Sequence, residues 1–136
     1  VPVFQIDRPM MERAINHGGR VLVVATHGPT VDNTNALLQE TAAEMGKSIS
    51  FSGLDVSEAW HRLSKGDIAG HNNLLAVAIR NRLKNEPCDC VILAQLSMTV
   101  FLFSYPDPVE EFGMPVFTSG QSGFEHLREY WLRETN

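Results

Sequence analysis

The segment RVLVVATHGPT, residues 20–30, decides the fold of this chain. Residues 20–26 are mostly apolar and rich in β-branched side chains, and a His-Gly-Gly turn precedes them. This composition predicts a strand that is buried on both faces, as in a parallel sheet. Side chains that suit a packed face then recur at helical spacing from Val31 to Met45, and Gly46 ends this predicted helix.

Strands and helices alternate along the rest of the chain. The segment SISFSGL alternates polar and apolar residues and predicts a weaker strand, whereas CVILA predicts a second strong one. Two helical patterns separate these strands: a short one that Ser57 opens and that carries Trp60, and a longer one from Asp67 to Pro87. A capping box at residues 122–125 opens a last helix. We expect strands at residues 20–26, 49–53, 91–94 and 116–118.

This alternation predicts the architecture. Strands that are joined by helices pair in parallel through right-handed crossovers, and the product is a doubly wound, flavodoxin-like α/β sheet of four strands with flanking helices. The chain opens with VPVFQI, which looks like a strand already under way. We therefore expect a piece of a larger protein, in which residues 1–19 are a strand end and a helix at the junction with a preceding lobe. Residues 20–136 are the α/β lobe itself. The alternative is that a tag was removed or that the start of the chain was processed.

Composition narrows the functional class. Of the 136 residues, 43% are hydrophobic and 20% are charged, and the net charge is −5. An acidic balance without a basic cluster argues against nucleic-acid binding. No apolar run approaches the roughly 20 residues of a membrane helix, so we expect no membrane partner. The two cysteines, Cys88 and Cys90, suit neither a disulfide nor a CxxC site and indicate reduced thiols in a cytoplasmic protein.

Polar loops follow three of the predicted strands. They read ATHGPTVDNT, AQLSM and TSGQSG, and they are rich in glycine and small hydroxyl residues. Because ligands of doubly wound sheets bind beyond the carboxyl ends of the strands, we expect these loops to converge on one site. Free N–H groups and hydroxyls suit a carboxylate or a phosphate. The alternative is that residues such as Thr30 and Ser122 only cap helices.

The loops argue against several ligands. Neither the P-loop pattern nor GxGxxG occurs, which argues against nucleoside triphosphates and dinucleotides. A flavodoxin-like FMN site stays open, although the loops contain no clear flanking aromatic residue. Of the five histidines, His27 alone lies in a strand-end loop, and we interpret the others, among them His71, as solvent-facing or capping residues. No histidine pair has metal-ligand spacing beside a carboxylate or thiol, so we predict no metal site.

The ordered set of motifs resembles a known family. RVLVVATHGPTVDNT is similar to the segment that opens the second lobe of the aspartate/glutamate/hydantoin racemases, where a strand ends in Ala-Thr before a loop rich in glycine and threonine. CDCVILAQLSM resembles the later strand that precedes the second catalytic cysteine of that family, and GMPVFTSGQSG looks like its closing strand and Ser-Gly loop. The resemblance covers nearly the whole chain in order. It implies substrate contacts from Thr26, Gly28, Thr30, Asn33, Ser97, Ser119 and Gly120.

The resemblance also implies a mechanism. In that family, two similar lobes enclose the active site, and one thiol from each lobe exchanges a proton with the α-carbon of the substrate without a cofactor. The position that matches the second-lobe cysteine is Gln95, and an amide cannot shuttle a proton at neutral pH. Cys90 lies roughly 16 Å back along an extended strand. Symmetric two-base racemisation is therefore not expected.

Two functions stay open. The first is the C-terminal lobe of a cofactor-independent enzyme, of the racemase, isomerase or decarboxylase type, that acts at the α-carbon of a small carboxylate or amino-acid-like substrate. In this enzyme Gln95 and Ser97 donate hydrogen bonds to the substrate, and the chain alone has no racemase activity. The second is a non-catalytic domain of the same fold that binds a small carboxylate or serves as an interaction domain.

Apolar segments predict self-association. Side chains of residues 1–6 would be exposed without a preceding lobe, and FLFSYP, residues 101–106, adds a short aromatic stretch. We expect a homodimer that buries this surface. The alternative is that FLFSYP folds back on its own sheet as part of the core.

Overall fold

Four parallel strands form one sheet in the computed structural model, which describes residues 7–120 and residue 133. The strands are β1 (Arg20–Ala25), β2 (Ser50–Asp55), β3 (Cys90–Leu93) and β4 (Val116–Thr118). Their order across the sheet is β2-β1-β3-β4, and every pairing is parallel. This confirms the predicted parallel α/β fold. The order is the flavodoxin-like one, in which the direction of winding reverses between β1 and β3.

The strand boundaries differ from the predicted ones where pairing decides them. β2 continues past Gly53 to Asp55, because Asp55 pairs with Ala25 at the end of β1. β3 begins at Cys90, which pairs with Val21, and it ends one residue earlier than predicted. Pairing with a neighbouring strand, rather than local propensity, sets these ends.

Helices connect the strands. The longer ones are α1 (Asp7–His17), α2 (Gly28–Glu44), α3 (Ser57–Ser64) and α4 (Ile68–Asn85). A 3₁₀ helix (Leu96–Val100), α5 (Phe101–Ser104) and α6 (Pro108–Phe112) lie between β3 and β4. α2 begins earlier than the helical pattern indicates, because His27 takes the N-cap position and Pro29 fits the first turn. Thr30 therefore lies inside the helix and does not cap it.

Each face of the sheet has its own core. Side chains alternate along β1, so that Val23 points to one face and Leu22 to the other. α1 and α2 cover the first face with Met10, Met11, Ala14, Ile15, Leu38 and Ala42. α3, α4 and α5 cover the second face with Ala59, Leu75, Ala76, Ile79 and Phe101. Helices therefore lie on both sides, as a doubly wound sheet requires.

The segment FLFSYP folds back against the sheet. Phe101 is fully buried, and the ring centroids of Tyr105 and Phe112 lie 4.8 and 5.8 Å from the centroid of its ring. The guanidinium of Arg80 lies 4.9 Å from the centroid of the Phe112 ring and covers this cluster. Phe103 is the aromatic residue of the segment that stays exposed, at 76%. The alternative that this segment packs as part of the core therefore holds for Phe101, whereas Phe103 stays available for the predicted dimer. Residues 1–6 and 122–125 lie outside the described residues.

His71 is fully buried on α4, so the prediction that it faces solvent or caps a helix is wrong. Its Nδ1 lies 2.8 Å from Oδ1 of Asn72, which is also buried. Nδ2 of Asn72 donates to the carbonyl of Val100 at 2.8 Å and to the hydroxyl of Ser104 at 3.0 Å. This buried network attaches α4 to the 3₁₀ helix and to α5.

Candidate functional site

Thr26 and Gln95 meet at the carboxyl edge of the sheet. Thr26 directly follows β1, and Gln95 lies just beyond the end of the neighbouring strand β3. The backbone N–H and the hydroxyl of Thr26 each lie 2.7 Å from the side-chain oxygen Oε1 of Gln95. The winding of the sheet reverses between these two strands, and ligands of doubly wound sheets bind at such a point.

These two hydrogen bonds fix the orientation of the Gln95 amide. A backbone N–H only donates, so the atom that it meets is the amide oxygen and not the nitrogen. The Thr26 hydroxyl then also donates to this oxygen, and its own lone pairs stay free to accept. The Nε2 amino group of Gln95 has no hydrogen-bond partner among the residues that the structure describes. It therefore offers two N–H donors to a ligand.

The segment that carries Gln95 is held by hydrogen bonds. The N–H of Ala94 donates to the carbonyl of Val24 at 2.9 Å, which extends the pairing of β1 and β3 beyond the end of β3. The N–H of Met98 donates to the carbonyl of Gln95 at 3.0 Å at the start of the 3₁₀ helix. Asn72 anchors the far end of that helix. These hydrogen bonds hold the backbone on both sides of Gln95 in place, as a ligand-binding side chain requires.

A cleft of about 220 Å³ opens beside this pair, and Thr26, His27, Trp60 and Gln95 line it. Thr26 is buried, whereas Trp60 on α3 is 47% exposed and lines the solvent-accessible side of the cleft. The next residue towards the N-terminus, Ala59, is fully buried in the core and fixes α3 against the sheet. Drug-sized sites measure about 300–1,000 Å³, so this cleft suits a smaller molecule.

His27 is the titratable residue of this cleft. It occupies the N-cap position of α2 with an extended backbone, and its side chain makes no capping hydrogen bond. Its imidazole is exposed, and it is the only titratable side chain among the described residues that line the cleft. An imidazole can serve as a general acid or a general base, which neither an amide nor an alcohol does readily. Any acid–base chemistry by these lining residues therefore falls to His27.

Gly28 lines a different pocket. This pocket of about 330 Å³ lies between α2 and β2 and includes Asp32 and Asp55 among its lining residues. A Cβ at Gly28 would lie 3.3 Å from a carboxylate oxygen of Asp55. A carboxylate thus already lies beside the start of α2, where the sequence predicts an anionic ligand. The structure does not bring Gly28 into the cleft that Gln95 lines.

The remaining predicted site residues also lie beyond the carboxyl ends of strands, but they do not line this cleft. Thr30 and Asn33 lie in the first turns of α2, where Asn33 is exposed. Ser97 is half-buried in the 3₁₀ helix. Ser119 and Gly120 directly follow β4 and are buried. Of the predicted residues, the structure brings Thr26 and Gln95 together in the cleft.

Two hydroxyls beyond the ends of β3 and β4 are buried without a hydrogen-bond partner in the described part of the chain. They are Oγ of Ser119 and Oγ1 of Thr99. A Cβ at Gly120 would lie 2.5 Å from Oγ1 of Thr99, so the close approach of the two segments requires a glycine there. Unpaired buried hydroxyls are uncommon in folded proteins. They add polar groups to the edge of the sheet that carries Gln95.

Two lining residues of the cleft are absent from the predicted site: His27, which the sequence places in a strand-end loop without a ligand role, and Trp60. A ligand-flanking aromatic residue is expected only in the strand-end loops, whereas Trp60 lies on helix α3. A signal was present, because Trp60 follows the last residue of β2, Asp55, by only five positions. A side chain so close to a strand end can reach the same edge of the sheet as Thr26.

Neither cysteine belongs to the cleft. Cys90 begins β3, at the opposite end of the strand from Gln95, and burial raises the pKa of its thiol to about 12. Burial also raises the pKa of Cys88, which precedes the strand. Both cysteines are free and buried. A thiol that stays protonated is a poor nucleophile and a poor base, so neither residue replaces the cysteine of the resembled family.

Comparisons with known proteins do not assign a family. No protein-family model matches the chain, and no curated protein matches it either. The described residues contain no group of three or more His, Cys, Asp and Glu side chains that could hold a metal ion. Among the helices that the structure describes, none is long and apolar enough to cross a membrane.

Proposed function

We propose that this chain is the carboxylate-binding lobe of a cofactor-independent, racemase-like enzyme. In this lobe Gln95 binds the carboxylate of the substrate at the position where the resembled family has a catalytic cysteine. The observation that supports this role is the pair of hydrogen bonds from Thr26 to Oε1 of Gln95. They leave both N–H groups of the amide for the ligand, and a carboxylate accepts such hydrogen bonds.

The reaction of the complete enzyme is a proton transfer at the α-carbon of a small carboxylate or amino-acid-like substrate, of the racemase, isomerase or decarboxylase type. An α-proton beside a carboxylate is weakly acidic, so a base has to be held against it. Negative charge develops on the carboxylate as the proton leaves, and N–H donors from Gln95 stabilise that charge. One-base chemistry fits the lining residues, because none of them is a thiol and one of them, His27, is titratable.

A non-catalytic domain that binds a small carboxylate or another protein is the second candidate. A binding role fits the cleft because three of its lining residues, Thr26, Trp60 and Gln95, can bind a ligand but cannot transfer a proton. With either function we propose a cytoplasmic protein, because both cysteines are free. We also propose a homodimer to which the exposed Phe103 contributes. Neither function requires a cofactor, a nucleic acid or a membrane.

The substitution Gln95→Glu tests the binding role. Glutamate keeps an oxygen that accepts both hydrogen bonds from Thr26, but it replaces the N–H donors with a second carboxylate oxygen. We expect the affinity for propionate, measured by NMR titration, to fall at least about tenfold, as the loss of a hydrogen bond to a charged group predicts. Gln39→Glu adds the same charge at an exposed position of α2 and is the matched control. Equal propionate affinities for Gln95→Glu and the unchanged chain would contradict the proposal.

Exchange of the α-proton separates the two candidate functions. In D₂O, the complete enzyme incorporates deuterium at the α-carbon of its substrate, whereas a binding domain does not. We expect the 136-residue chain alone to incorporate none into aspartate or glutamate. Incorporation by the purified chain would show that this lobe is sufficient for catalysis.

A further inference from the structure

The indole of Trp60 is an apolar wall of the cleft that carboxylate binding does not use. It is 47% exposed and lies in the same cleft as the Gln95 amide. The other lining residues that the structure describes, Thr26, His27 and Gln95, are polar. Covering an exposed indole with an apolar group is favourable, and a second aromatic ring adds a stacking or edge-to-face contact. The cleft therefore pairs one polar side with one flat apolar side.

The described lining of the cleft contains no permanent cation that could pair with a second negative charge on the ligand. Its described lining residues include neither lysine nor arginine, and the single group that can become cationic is the imidazole of His27. Asp55, at the end of the adjacent strand β2, adds negative charge to the same edge of the sheet. A second carboxylate on the ligand would lose its hydration without a permanent cationic partner. The lining thus favours a monocarboxylate over a dicarboxylate.

The volume of the cleft fits a ring and one carboxylate. A cavity of roughly 150 Å³ accommodates benzene. The cleft measures about 220 Å³, which leaves space for a carboxylate beside Gln95.

We infer that the cleft binds an aryl-substituted monocarboxylate, whose ring packs on Trp60 and whose carboxylate accepts hydrogen bonds from Nε2 of Gln95. This inference rests on the proposed function, from which it takes the carboxylate contact. It names the class of substrate, which differs from the aspartate and glutamate of the resembled family. Trp60 is then the residue that determines specificity.

Affinities for phenylacetate, propionate and succinate, measured by calorimetric titration of the chain, test this assignment. We expect phenylacetate to bind about tenfold more tightly than propionate, and succinate to bind no more tightly than propionate. Trp60→Ala should remove the advantage of phenylacetate, and Trp60→Phe should keep most of it. Val77→Ala removes an exposed apolar side chain of α4 outside the cleft and should leave all three affinities unchanged.

The outcomes distinguish a failure of this inference from a failure of the proposed function. If Gln95→Glu binds propionate as well as the unchanged chain does, the carboxylate site itself is wrong. If Gln95→Glu weakens every carboxylate but Trp60→Ala keeps the tenfold preference for phenylacetate, the carboxylate site stands and the role of Trp60 is overturned. Tighter binding of succinate than of phenylacetate by the unchanged chain overturns the ligand class, whether or not any variant folds.

Discussion

The side-chain amide of Asn72 donates a hydrogen bond of 2.8 Å to the backbone carbonyl of Val100. A carbonyl only accepts, so Nδ2 is the atom that faces Val100, and Oδ1 is left to accept from Nδ1–H of His71 at 2.8 Å. Val100 ends the 3₁₀ helix that begins directly after Gln95. One buried side chain therefore connects α4 to the segment that carries the amide donor of the cleft.

Asn72→Leu should destabilise the chain. Leucine has a similar size, but it leaves the carbonyl of Val100 and Nδ1 of His71 buried without partners. Each of these two unsatisfied groups costs about 1–3 kcal/mol, so we expect the free energy of unfolding in urea to fall by about 2–6 kcal/mol. Asn73→Leu, at an exposed position of the same helix, should change it by less than about 0.5 kcal/mol. Equal losses in the two variants would show that the buried network is not what stabilises this part of the chain.

The thiol of Cys90 should make the chain less stable at alkaline pH. Burial raises its pKa from the ordinary value of 9.0 to about 12 in the folded chain. The unfolded chain therefore loses this proton first, and the folded chain retains it through that interval. The contribution to stability is complete below pH 9.0 and is lost as the pH rises towards about 12. The slope is at most about 1.4 kcal/mol per pH unit.

A comparison with Cys90→Ala isolates this contribution from other groups that titrate in the same range. We expect the free energy of unfolding of the unchanged chain to fall more steeply above pH 9.0 than that of the variant. The difference between the two slopes is the quantity to measure, because alanine also removes packing contacts at every pH. Parallel slopes would mean that the thiol ionises equally readily in the folded and unfolded chains.

The sheet could be predicted from the sequence because burial on both faces leaves a continuous apolar run, as in β1. The meeting of Thr26 and Gln95 at one edge follows from the same pattern, since parallel strands align their carboxyl ends. The hydrogen bonds between them could not be predicted, because no periodicity records which side chain turns towards a neighbouring strand. The order of the strands and helices could therefore be predicted from the sequence, whereas the hydrogen bonds at the site could not.

Residues on α3 and α4 show where the sequence was insufficient. The exposed Trp60 and the buried His71 both look like ordinary helical residues, and only the packing of the two helices against the sheet separates their environments. The start of α2 gives a second case. The N-terminus of a helix favours an anionic ligand, and the sequence predicts one beside Gly28. In the structure, the carboxylate of Asp55 lies there instead, and Asp55 belongs to β2, which is distant in sequence from Gly28.

Adjacent glycines before β1 give a matched pair of substitutions. A Cβ at Gly18 would lie 2.5 Å from the Cβ of Asp89, whereas a Cβ at Gly19 would meet nothing within 4 Å. Asp89 cannot easily move, because it accepts hydrogen bonds from the backbone N–H and the guanidinium of Arg20 at 2.9 and 3.1 Å. We expect Gly18→Ala to cost about 1–3 kcal/mol of unfolding free energy. Gly19→Ala should stabilise the chain by at most about 1 kcal/mol.

Thermal unfolding of the two glycine variants measures this difference. Arg20 lowers the pKa of Asp89, chiefly through their side-chain hydrogen bond, and a displaced Asp89 would lose that contact. In Gly18→Ala the pKa of Asp89 should therefore rise towards its ordinary value, which a carbon-detected NMR titration can follow. Equal stabilities for Gly18→Ala and Gly19→Ala would contradict the close packing of this turn.

Phe101 and Phe103 are two positions apart and have opposite environments. Phe101 is fully buried, and Phe103 is 76% exposed. Phe101→Ala should lower the free energy of unfolding by about 3–5 kcal/mol, because it leaves a cavity beside the rings of Tyr105 and Phe112. For the monomer, Phe103→Ala should change it by less than about 0.5 kcal/mol. Urea unfolding of the two variants at equal protein concentration provides the comparison.

The same exposed ring tests the proposed homodimer. If Phe103 packs against a partner, Phe103→Ala should weaken dimerisation in a sedimentation experiment while the unfolding free energy of the monomer stays constant. Phe101→Ala cannot serve for this purpose, because a destabilised chain exposes new apolar surface and associates for that reason alone. A chain that sediments as a monomer at micromolar concentration would overturn the dimer. A dimer that Phe103→Ala leaves intact would place the interface away from this exposed ring.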